Sequence, residues 1–123
     1  MELSLAVQKL NLALVRELLR TKHDPNALRN GVDEGVNQPD RPLKMVMFRL
    51  SDALLEEEHH DVLCEIAKEL IAHGADPGPA MQIAEWRYGP YSDGDPEDVW
   101  EAWHVVARAH ARGNGGDDAA LRV

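Results

Sequence analysis

Apolar side chains recur at helical spacing in most segments of this chain. They lie three or four positions apart within residues 3–19, and the next such segment begins at Pro42, a residue suited to the first position of a helix. A further helix is predicted over residues 63–71, ending at His73-Gly74, where glycine can adopt the left-handed conformation that ends many helices. These segments predict two helix pairs.

The last third of the chain predicts two more helices separated by a turn. One covers residues 81–86, and the turn follows at residues 88–91. The second helix is expected to be capped by Asp95, to open at Pro96 and to end at 112–113. Because no segment shows the alternation of apolar and polar residues that is typical of a half-buried strand, the predicted fold class is all-α.

One unit of sequence occurs twice. Residues 14–26 align without gaps on residues 66–78, and the second copy contains Gly74-Ala75-Asp76-Pro77. This ending resembles the ankyrin-repeat family, in which a second helix ends in Gly-Ala-Asp-Pro. Three segments are similar to the family's first helix, which has a proline, a leucine and then two small residues; they start at Leu3, Pro42 and Met81.

The resemblance implies an ankyrin-like solenoid of about three stacked helix-turn-helix pairs. We expect one domain over residues 1–113, with repeats at about 1–27, 40–78 and 79–113, and a flexible tail at 114–123. The first helices are 40 and 38 residues apart, against a family period of roughly 33. This spacing indicates insertions that lengthen helices and loops.

The resemblance also implies a binding surface. In the family, the two positions after the paired small residues often face the binding groove; here they are Gln8, Lys9, Phe48, Arg49, Trp86 and Arg87. Aromatic and arginine side chains supply much of the binding energy of protein interfaces. The alternative is that Phe48 and Trp86 fill the core, as large aromatic residues often do.

Net charge is −9, and the acidic excess is confined to one part of the chain. Between Asp52 and Glu101 there are 14 acidic residues against two basic ones. This segment predicts an acidic surface that attracts a basic segment of a partner protein, and it disfavours nucleic acid as a partner. A solvated surface that only keeps the protein soluble is the alternative. The expected residues are Glu56, Glu57, Glu58, Asp93, Asp95 and Glu97, with Tyr88 and Tyr91 as neighbouring aromatic contacts.

The function expected from these features is non-catalytic protein binding, as a chaperone, adaptor or inhibitor. No nucleophile elbow, phosphate loop or Cys-His arrangement occurs, the only cysteine is Cys64, and we expect no catalytic residue, metal or cofactor. The competing hypothesis is an accessory enzyme or ligand-binding protein with a pocket around residues 86–104, near Tyr88, Tyr91, Trp100 and His104. Without a signal sequence or a membrane-spanning segment, the expected location is intracellular, cytoplasmic or nuclear.

Overall fold

The computed structural model describes residues 3–28, 35, 38–50, 57–89 and 101–112, with the backbone alone at 57 and 101. Throughout these ranges the regular structure is helical and contains no strand, which confirms the all-α class for this part of the chain. None of the described helices is long and apolar enough to cross a membrane. The helices are α1 (Leu3–Gln8), α2 (Leu12–Arg20), α3 (Pro42–Arg49), α4 (Glu57–Ala72), α5 (Pro77–Tyr88) and α6 (Glu101–Ala111).

The helices form two rows. Helices α1, α3 and α5 contact one another in that order, and α2, α4 and α6 form a second row in the same order. Each first-row helix also contacts the second-row helix that follows it in the chain. Since one helix pair cannot bury both of its apolar faces, each pair depends on its neighbour for a core.

The core lies between the two rows and is mostly aliphatic. Val7, Val46 and Ile83 are fully buried in the first row, and Ile66 and Val106 are fully buried in the second. Side chains of this size each contribute roughly 1.5–3 kcal/mol when they are removed from water. The helical periodicity of the sequence therefore corresponds to real buried faces in both rows.

Helices α2 and α4 end in the same way. Lys22 and Gly74, 52 positions apart in the aligned copies, have positive φ angles of 67° and 98°. The next residue in each copy donates its backbone N–H to the carbonyl five positions earlier, that of Leu18 or Leu70, at 3.0 and 2.9 Å. This is the hydrogen-bond pattern of a Schellman ending. The repeat seen in the sequence is thus also a repeat of backbone structure.

The two turns that follow are also alike, and they contact each other. Asp24 accepts the N–H of Asn26 at 2.8 Å, and Asp76 accepts that of Gly78 at 3.0 Å. The Asn26 side chain then joins the two copies, because its Nδ2 donates to the carbonyl of Gly74 at 3.2 Å and its Oδ1 accepts the N–H of Asp76 at 2.7 Å. One asparagine side chain therefore links the turns of the first two helix pairs.

Helix α5 begins earlier than the sequence predicts, at Pro77 rather than Met81. Asp76 caps it by accepting the N–H of Gly78, and Pro77 fits the first turn because it lacks an N–H that would need a partner. Only residues 73–76 therefore join α4 to α5. The predicted boundary between the second and third repeats, at 78–79, falls inside this helix.

The structure describes some of the other predicted boundaries and not the rest. The N-terminal segment forms two helices, with Asn11 capping α2. Helix α4 has 16 residues, in line with the expected lengthening. The expected start of the last helix, at Asp95-Pro96, and the predicted tail at 114–123 lie outside the described residues.

A buried ion pair holds the segment before α3 against that helix. Lys44 Nζ lies 2.8 Å from Asp40 Oδ1, and their side chains are only 4% and 1% exposed. The same Nζ donates to the carbonyl of Gly35 at 3.0 Å. Because Asp40 and Pro39 are both buried, this segment is part of the packed structure.

Candidate functional site

The first-row helices end next to one another along one edge of the stack. Contacts between neighbouring helix ends join α1 to α3 and α3 to α5. The predicted binding residues of the three first helices therefore come together, although they are far apart in sequence. We call this set the first-helix edge: Gln8, Lys9, Phe48, Arg49, Trp86 and Arg87.

The contact between α1 and α3 is made by Arg49. Its Nη1 donates a hydrogen bond to the backbone carbonyl of Gln8, the last residue of α1. A cation at this position is favourable because the carbonyls of the last helical turn carry partial negative charge. Arg49 is half-buried, whereas Gln8 and Lys9 are exposed. Arg49 therefore has a structural role at this edge.

The contact between α3 and α5 is made by Arg87 and Tyr88. The Arg87 guanidinium carbon lies 4.1 Å from the centroid of the Phe48 ring, a cation–π arrangement. The Tyr88 hydroxyl donates to the carbonyl of Met47 at 2.5 Å, and its ring lies 5.4 Å from that of Trp103 on α6. Tyr88, predicted as a partner contact, is therefore half-buried and fastened to the stack.

The side chain of Trp86 projects into solvent. Among the large hydrophobic residues of the described ranges, Trp86 is the one that is exposed, with 57% of its surface accessible to solvent. It lies in the last turn of α5, next to Glu85 and Arg87, which are also exposed. Of the two interpretations of Trp86 open from the sequence, burial in the core is wrong.

Helix α3, the middle helix of the first row, is buried over most of its length. Every residue of Pro42–Met47 is buried, including Lys44, which is bonded to Gly35 and Asp40 of the preceding segment. A helix with one face open to a groove would expose some of these side chains. The surface predicted along the first helices is therefore accessible on α3 only near its end, at Phe48 and Arg49, which are half-buried.

Much of the predicted acidic surface and pocket lies outside the described residues. Glu58 is exposed near the start of α4, and His104 is half-buried on α6. The side chain of Glu57 is not described. Outside the described ranges are Tyr91 and Trp100, together with the acidic residues Glu56, Asp93, Asp95 and Glu97.

Several charged side chains of the second row pair with one another on the surface. Arg16 of α2 bonds Glu69 of α4 at 2.9 Å, joining two neighbouring helices. Glu17 accepts from Arg20, and this hydrogen bond, with the attraction of the guanidinium, lowers the pKa of Glu17. Within the described part of the chain, no group of three or more histidine, cysteine or acidic residues is placed to hold a metal ion.

Sequence reasoning missed two contacts made by α3. Asp40 and Lys44 are four positions apart on either side of the start of α3, but only the fold shows that both are buried. The bond from Tyr88 to the Met47 carbonyl also depends on the alignment of α5 with α3. A lysine among the otherwise apolar residues 42–47 was the one available signal.

Comparison with known proteins finds no matching family model, no matching curated protein and no matching solved structure.

Proposed function

We propose that this protein is a non-catalytic, ankyrin-like module that docks a segment of another protein on the first-helix edge. The observation that carries the proposal is the exposed indole of Trp86, presented where three helices end together. The two-row stacking of helix pairs and the repeated turn at residues 22–26 and 74–78 support the ankyrin-like assignment.

The surroundings of Trp86 favour binding because they are already ordered. Arg87 is stacked on Phe48, and Tyr88 is held by its bond to Met47 and by Trp103. A partner would therefore not have to order this end of α5, and ordering side chains at an interface costs about 0.5–1.5 kcal/mol each. Tryptophan and arginine are also the residue types that most often dominate interface energetics.

The edge, rather than the acidic surface, carries this proposal. Of the acidic residues expected from the sequence, Glu58 is the one whose side chain is described, and it lies on α4 in the second row. An exposed glutamate on a helix is common on soluble proteins. An exposed tryptophan in an ordered cluster is a more specific signal of a contact surface.

The proposal is tested by placing a photo-reactive tryptophan analogue, which keeps the indole ring of the anchor, at position 86 and, separately, at position 108. Arg108 is a matched control because it is also exposed on a helix but lies on α6, in the second row. In an extract of the native cells, we expect one discrete protein adduct from position 86 and none of that size from position 108. An excess of unlabelled wild-type chain should suppress the adduct, whereas a folded Trp86→Ala chain should not.

Two results would count against docking at this edge. Position 86 could yield the same scattered adducts as position 108, or the Trp86→Ala chain could compete as well as the wild type. Far-UV circular dichroism of each variant checks that the helical stack is intact.

A further inference from the structure

Helix α3 is buried on every side over most of its length. All residues of Pro42–Met47 are buried, and consecutive residues of a helix over more than one turn point to all of its sides. Helices α1 and α5 flank α3 in the first row, and α4 and α6 lie behind it in the second row. The side of α3 that faces away from the second row therefore needs a cover other than these helices.

The cover is the segment before α3, which reaches that side through Lys44. Lys44 precedes the fully buried Val46 by about 200° of helical rotation, so it points away from the core between the rows. Its Nζ donates to the carbonyl of Gly35 at 3.0 Å and lies 2.8 Å from Asp40 Oδ1. One amine therefore holds two parts of this segment against α3. We call Gly35 and residues 38–41 the strap.

The contacts of the strap differ in kind from those of the core. Its ion pair takes an ammonium and a carboxylate out of water, and both side chains are less than 5% exposed, at 4% for Lys44 and 1% for Asp40. Burial of two charges is costly, so opening the strap recovers hydration that exposure of the aliphatic core does not. The backbone bonds from Gln38 to Gly35, at 3.3 Å, and from Asp40 to Gln38, at 2.8 Å, lie within the strap. Opening therefore need not break the hydrogen bonds of a helix.

We infer that the strap opens as a unit while the helical stack stays folded, and that its opening uncovers α3 at Lys44. Lys44 and Phe48 are four positions apart and so lie on the same side of α3. Since Phe48 belongs to the first-helix edge, opening lengthens the accessible surface from that edge along α3, and the closed strap restricts it. This device does not depend on the proposed docking function, because its test uses no partner.

The test is amide hydrogen exchange of the full-length chain, followed residue by residue by NMR. The Asp40 amide reports the strap, because it is bonded to Gln38 within it. The Leu70 amide reports the stack, because Leu70 is fully buried on α4. Two variants separate the two kinds of opening. Ile83→Ala removes a fully buried side chain from the core, and Lys44→Met removes the cation that holds the strap.

In the wild type, after correction for intrinsic rates, Asp40 should exchange at least about tenfold faster than Leu70, because local opening needs less free energy than unfolding of the stack. Ile83→Ala should speed exchange at Leu70 by roughly 30-fold or more and leave that at Asp40 nearly unchanged. Lys44→Met should bring the Asp40 amide to within about tenfold of an unstructured amide, while Leu70 remains protected.

Three results would overturn the inference. Asp40 could exchange as slowly as Leu70 in the wild type, or Ile83→Ala could speed both amides by the same factor; either result means that the strap opens only when the stack unfolds. Protection of Asp40 that survives Lys44→Met would show that the ion pair does not hold the strap. If Ile83→Ala fails to fold, exchange of the wild type in increasing urea gives the same contrast, because only unfolding of the stack exposes a large surface.

Discussion

Lys22 and Gly74 occupy the same place in the two copies of the repeat, so exchanging their residue types should have opposite effects on stability. Both have positive φ, 67° for Lys22 and 98° for Gly74, and both follow a second-row helix. Glycine accepts this conformation without strain, whereas a residue with a Cβ does not. We expect Lys22→Gly to stabilise the protein and Gly74→Lys to destabilise it.

The size of each effect follows from two opposing terms. The left-handed conformation costs a non-glycine residue about 1–2 kcal/mol, and glycine loses about 0.5–1 kcal/mol more backbone entropy on folding. The difference predicts a gain of roughly 0.5–1 kcal/mol in the free energy of unfolding for Lys22→Gly, since the Lys22 side chain is exposed. For Gly74→Lys we expect a loss of at least that size, because a φ of 98° lies well beyond the left-handed optimum near 57°. A Cβ at Gly74 would meet no other atom within 4 Å, so the loss would report backbone strain rather than a clash.

Urea unfolding followed by circular dichroism measures both changes. With a denaturant slope of about 2 kcal/mol/M, the midpoint should rise by roughly 0.3–0.5 M for Lys22→Gly and fall by at least as much for Gly74→Lys. Lys22→Ala is the control, because it removes the side chain but keeps the Cβ and should leave the midpoint nearly unchanged. The reasoning fails if Lys22→Gly lowers the midpoint, or if Lys22→Ala raises it as much as Lys22→Gly does.

Three further changes probe the packing, each measured by the same unfolding assay. Lys44→Met should cost about 3–5 kcal/mol because it leaves the Asp40 carboxylate buried without its cation, and adding Asp40→Leu should restore much of the loss; a cost below about 1 kcal/mol would contradict this. Asn26→Ala should cost about 1–3 kcal/mol through its two hydrogen bonds to the second turn, and an unchanged midpoint would show that these bonds do not couple the pairs. Tyr88→Phe should cost about 1 kcal/mol by removing the bond to the Met47 carbonyl, while adduct formation at Trp86 persists.

The helices could be predicted where one buried face sets the pattern. In α2, Val15, Leu18 and Leu19 are buried at helical spacing, and the exposed positions between them are polar. The sequence predicts the start of α5 four residues too late, at Met81 instead of Pro77, for a different reason. Asp76-Pro77 fits the end of one repeat and the cap of the next helix equally well, and in the structure it serves as both.

The site could be predicted only in part, because its geometry depends on how helices from different repeats align. The resemblance to ankyrin repeats placed Phe48 and Trp86 at equivalent positions, yet one is half-buried and the other is largely exposed. That difference arises because Arg87 lies over Phe48, whereas nothing comparable is seen over Trp86 among the described contacts. The covering of α3 also depends on the path of a connecting segment, and periodicity carries no information about that path.

The two ends of the helix pairs differ in a way that bears on function. Where α2 and α4 finish, the copies share the same backbone hydrogen bonds, and Asn26 joins them, as expected of a part that holds the stack together. Where the first-row helices finish, each copy carries different side chains. Trp86 makes little contact with the core there, so replacing it should weaken binding and leave the stability of the fold nearly unchanged. Replacing Asn26 should lower the stability of the fold and leave binding by the folded chain unchanged. A surface that can change without loss of the fold is one on which partner specificity can be built.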